Sequence, residues 1–71
     1  MNKEKVISII NGLYPKKKIT NLVEFPDCYV FRIDGEQSDG LVNWKSINKE
    51  TGKFEYRSFF DLDDENMKKI I

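Results

Sequence analysis

From Ile19 onward apolar and polar residues alternate with a period of two, and no other feature constrains the fold as much. Ile19, Asn21, Val23 and Phe25 alternate with Thr20, Leu22 and Glu24. After a break at Pro26 and Asp27, Tyr29, Phe31 and Ile33 alternate with Cys28, Val30 and Arg32. A third run, Leu41 to Asn48, sets Val42 and Trp44 against Asn43 and Lys45, and a fourth, Lys53 to Phe60, sets Phe54 and Tyr56 against Lys53, Glu55 and Arg57. Successive side chains of a strand point to opposite faces, so each run is predicted to be a half-buried strand. The connections are short. Pro26-Asp27 makes a tight turn, Asp34 to Gly40 (DGEQSDG) a polar loop, and NKETGK a hairpin turn in which Gly52 takes a positive φ. Short connections favour an antiparallel meander.

Ahead of the strands the period is helical. Val6, Ile9, Ile10 and Leu13 follow the i, i+3, i+4, i+7 spacing of one apolar face, Asn2 is placed to cap, and Pro15 ends the helix at Tyr14. Behind the strands, Leu62 to Met67 reads as a second, short helix. Asp63 is its expected cap, acids fill its first turn, Leu62 and Met67 form a hydrophobic staple, and Lys68 and Lys69 close it. The expected fold is therefore α+β, in the order α-β-β-β-β-α, with the leading helix covering the sheet face that carries Phe31, Trp44 and Tyr56.

Seventy-one residues leave room for one domain, spanning 1–71, with a small core to which five Phe, three Tyr and one Trp contribute. Net charge is zero, but its distribution is uneven. Residues 1–18 carry Lys3, Lys5, Lys16, Lys17 and Lys18 against Glu4, and residues 19–44 carry Glu24, Asp27, Asp34, Glu36 and Asp39 against Arg32. Mixed signs lack the one-sided positive field of a dedicated DNA binder, which disfavours nucleic acid as partner. A single cysteine, Cys28, has no internal disulfide partner, and no histidine exists to share a metal with it. No cofactor is expected. The early apolar run Val6 to Ile10 is too short for a secretion signal or a membrane span, so the chain reads as cytoplasmic and unattached to membrane.

The phrase CYVFRI (Cys28 to Ile33), a polar Asp/Gly loop, a strand and then INKETGKFEY (Ile47 to Tyr56) resembles PepSY-like modules and small immunity-type proteins of bacteria. The likeness runs from Cys28 to Phe60, and the leading helix stands where those modules have theirs. It implies a non-enzymatic binding or inhibitory module that acts on a protein partner, in a bacterial or phage setting, and it supplies no catalytic residue to carry over.

Enzyme chemistry lacks its usual parts. There is no histidine, no glycine-rich phosphate loop and no serine or cysteine with a triad. Asp61, Asp63 and Glu65 match positions 1, 3 and 5 of a calcium loop, but Asn66 stands where that loop needs glycine, and a helix start accounts for the acids. Cys28 has no adjacent cation to activate it and is expected to be a buried structural thiol.

The leading expectation is a module that binds another protein, with Glu36, Asp39, Asp61, Asp63 and Asp64 presenting carboxylates to a basic partner site. The second is a nucleic-acid-binding accessory protein using Lys16, Lys17, Lys18 and Lys45 beside exposed aromatics. A structural or self-associating domain, a homodimer joined through an open strand edge, is the third.

Overall fold

The computed structural model describes residues 1–35 and 43–71. Helix α1 spans Lys3–Leu13 and is followed by β1 (Ile19–Glu24), β2 (Cys28–Ile33), β3 (Trp44–Asn48) and β4 (Phe54–Arg57). Two short 3₁₀ turns, Phe59–Asp61 and Asp64–Asn66, lead to a final two-residue strand, β5 (Lys68–Lys69). All pairings are antiparallel, and the strand order is β4-β3-β2-β1-β5. The α+β expectation holds, with a five-stranded sheet in place of four strands.

Local signals placed α1 accurately. Asn2 Oδ1 accepts from the Lys5 N–H at 2.9 Å, which satisfies one of the free donors of the first turn, and Tyr14 closes the helix ahead of Pro15. Gly52 adopts φ +73° in the β3–β4 turn, donating its N–H to the Asn48 carbonyl at 2.8 Å.

Register decides which face each side chain joins. Leu22 pairs with Phe31, and Tyr29 with Ile47, so these four share the side on which Val6 and Ile10 of α1 pack. An irregularity between Ile19 and Asn21 brings Ile19 to the same side, opposite Ile33. Phe25, Cys28 and Val30 form a second cluster with Val23, Trp44 and Leu62 on the other side. Trp44 is thus not beneath α1. Tyr56 pairs with Lys45 on the helix side but is 60% exposed. Of the expected set Phe31, Trp44 and Tyr56, only Phe31 is core under the helix.

The C-terminal helix is replaced by an extended crossing. Eight helical residues would reach only ~12 Å, whereas β4 and β5 stand at opposite edges of the sheet, four strand spacings or ~19 Å apart. Drawn out, the segment sets Leu62 on the second cluster and brings Ile70 to the helix-side core. Its backbone is satisfied by β1: the Ile70 and Ile71 N–H groups donate to the Leu22 carbonyl at 2.8 and 3.1 Å. Met67, expected in a staple, is 55% exposed.

Candidate protein-binding surface

The crossing segment begins at the corner where β4 ends, and one arginine fixes that corner. Arg57 Nη2 donates to Asp27 Oδ2 and to the Asp61 carbonyl, each at 3.1 Å, tying the start of the segment to the β1–β2 turn. Ser58 Oγ donates to Asp61 Oδ2 at 3.1 Å, and the Asp61 N–H returns to the Ser58 carbonyl, which tightens the first 3₁₀ turn. This turn buries neither of its aromatics fully. Phe59 stacks edge-on against Trp44, centroids 5.8 Å apart, while Phe60 stands 75% exposed at 6.0 Å from Phe59.

Behind Phe59, Trp44 walls an open groove of about 370 Å³ on the sheet side away from α1. Val23 and Val30 line its apolar part, and Asn21 and Arg32 its polar part. Across β4, Phe54 packs edge-on against both Phe31 and Tyr56, at 6.2 and 5.1 Å. An aromatic series therefore continues from the core through Phe54 to the surface at Tyr56. Asp61 ends the first turn and Asp63 follows it, both exposed, with Asp63 Oδ2 accepting from Asn66 Nδ2 at 2.7 Å.

Of the acidic residues expected to meet a partner, Asp61 follows Phe60 in the first 3₁₀ turn, Asp63 lies between the two turns, and Asp64 begins the second. Glu36 and Asp39 lie outside the described residues. Lys16, Lys17 and Lys18 are exposed between α1 and β1, and the Lys18 carbonyl accepts from the Asp34 N–H at 2.8 Å. Lys45 sits two strands away, on β3 opposite Tyr56.

A polar cluster at the other end of the sheet escaped sequence reasoning because its members are far apart in the chain. Lys49 Nζ reaches Glu24 Oε2 at 2.7 Å and lies 5.2 Å from the centre of the Tyr29 ring, whose hydroxyl donates to the same carboxylate at 3.4 Å. The Lys49 hydrogen bond holds the Glu24 carboxyl below its usual range, against the opposing effect of burial. Burial, then the Glu24 charge, raises the Tyr29 hydroxyl.

Cys28 is fully buried, as expected, and burial followed by the neighbouring Asp27 charge pushes its thiol up to about 11. A thiol so shifted is protonated at neutral pH and is not a nucleophile. Among the described residues no three acidic or thiol side chains come together to hold a metal ion, and no helix is long and apolar enough to cross a membrane. Comparison with protein-family models, curated proteins and solved structures returned no match.

Proposed function

We propose that this chain is a non-enzymatic protein-binding module whose contact surface is the corner after β4: Phe60 and Phe59, the Trp44 groove, and the acids Asp61 and Asp63. The observation that carries the reading is Phe60. An aromatic ring that is 75% exposed adds little to folding, yet a ring on a pinned turn is already ordered for contact, which lowers the entropy cost of binding. Asp61 and Asp63 beside it select a partner with basic groups around an apolar anchor. An immunity- or inhibitor-type role, in which carboxylates meet a basic active site, is the form of binding this surface suits.

A pull-down from the source cell tests the reading. Wild-type bait is expected to retain a basic protein that both Phe60→Ala and the pair Asp61→Asn, Asp63→Asn release. Equal retention by all three baits would remove this surface from the proposal.

One observation favours the second reading. Tyr56 is exposed directly across from Lys45, an aromatic and a cation side by side as single-stranded nucleic acid requires. A salt-sensitive change in Trp44 fluorescence with oligonucleotide, lost in Tyr56→Ala, would support it.

A further inference from the structure

The two edges of the sheet are unlike. At the β1 edge, β5 is two residues long and consists of exposed lysines, a charged stub that discourages further pairing beside Val23 and Glu24. Among the described residues the β4 edge has no such guard. Its register with β3 fixes which groups are open: the Asn48 N–H donates to the Lys53 carbonyl at 2.9 Å, so alternation turns the main chains of Lys53, Glu55 and Arg57 toward β3. Those of Phe54 and Tyr56 point outward, and among the described residues no further strand pairs with them. Extended backbone continues through Ser58 at φ −106°, ψ 158°.

We propose that this edge pairs with β4 of a second copy of the chain, antiparallel about a two-fold axis at Tyr56. Only registers that set outward-facing residues opposite one another form hydrogen bonds, and charge chooses among them. Pairing Phe54 with the partner's Tyr56 places Glu55 against its own twin and Lys53 against Arg57, like charges in both cases. Centring on Phe54 runs Tyr56 onto Gly52, whose N–H is already committed to Asn48 within the turn. Centring on Tyr56 sets Glu55 opposite Arg57 twice, once on each side of the axis, and Phe54 opposite Ser58. Each Arg57 already lies 3.8 Å from its own Glu55, so the four side chains form an alternating ring of charge. On the other side of the sheet the two Tyr56 rings, each 60% exposed alone, meet across the axis. Because the same edge is used on both copies, the two-fold contact closes as a dimer. This assembly goes beyond the partner reading above, which concerns the turn that follows β4.

Light scattering across a concentration series tests the proposal. The wild-type mass is expected to rise toward twice the 8.4 kDa monomer. Glu55→Lys or Arg57→Glu alone, each of which opposes like charges, weakens the dimer roughly tenfold or more. Mixed in equal amounts, these two variants restore it, because in the mixed dimer every introduced or remaining charge at the two positions again faces its opposite across the axis. Tyr56→Lys, at a site exposed enough to leave the fold intact, also weakens the dimer and serves as the check where Arg57→Glu loosens the corner. Wild-type protein that keeps the monomer mass up to about 1 mM, or a mixture that associates no better than either variant alone, would overturn the proposal.

Discussion

On one side of the sheet α1 lays Val6 and Ile10, both buried, across Leu22, Phe31 and Ile47; on the other, an irregular crossing carries Leu62 onto Phe25, Cys28 and Val30 and leaves a groove beside Trp44. The helix covers by repeating one apolar face every turn, so its side chains interlock with the strands beneath. The crossing touches down at intervals and leaves Phe60 and Met67 to solvent. One side is thus closed by regular packing, and the other is covered less evenly. The difference also explains the polar bonds at the corner, since Arg57 holds by hydrogen bonding a segment that little apolar burial secures.

Substitutions on the two sides should separate these roles. The largest effect is expected at Ile47→Ala: the side chain is fully buried beneath α1, and its loss costs about 2–5 kcal/mol in urea unfolding. Leu62→Ala, on the half-covered side, is expected to cost roughly 1–2 kcal/mol. Equal losses at the two positions would mean that the crossing seals its side as fully as the helix does.

Much of this asymmetry was hidden in the sequence for physical reasons. Asn2, Pro15 and Gly52 act on their immediate neighbours, so helix α1 and the β3–β4 turn were legible from short phrases. The C-terminal acids were not. Asp61 to Glu65 satisfy the charge rule for a helix start, but the bonds that decide the matter run from Ile70 and Ile71 to Leu22, about two thirds of the chain away. The side occupied by Trp44 was equally obscure. The observed β2–β3 ladder ends at Val30 and Ser46, and Asn43 takes φ 58° just before β3, so alternation cannot be counted through the connection. Phe60 read as the end of a strand because the turn that exposes it depends on Arg57 finding Asp27, thirty positions earlier. The acidic character of the proposed binding corner was visible; its aromatic part was not.

A smaller effect sharpens the comparison at the far end of the sheet. The Glu24 carboxyl titrates lower in the folded chain than in the unfolded one, so its contribution is present above the unfolded value of 4.5 and is lost as pH falls through the folded value. With both side chains part-exposed, the Lys49 pair is worth a few tenths of a kcal/mol. In Lys49→Met the loss of stability between pH 7 and pH 3 should shrink by that amount, as read by urea midpoints at each pH. A Lys49→Met protein with an unchanged pH profile would show that the pair contributes nothing.

The smallest change in stability is expected at Phe60→Ala, within about 0.5 kcal/mol of wild type by thermal melting, because the ring is mostly in water before and after. A loss as large as that of Leu62→Ala would reassign Phe60 to folding.

Site-directed photocrosslinking asks most directly whether the loosely covered side is the one that meets a partner. A photoreactive phenylalanine analogue at position 60 is expected to join covalently to a second protein in the source cell, while the same group in place of Leu13, also exposed but at the end of α1, gives none. Crosslinks from position 13 with none from position 60 would contradict the account.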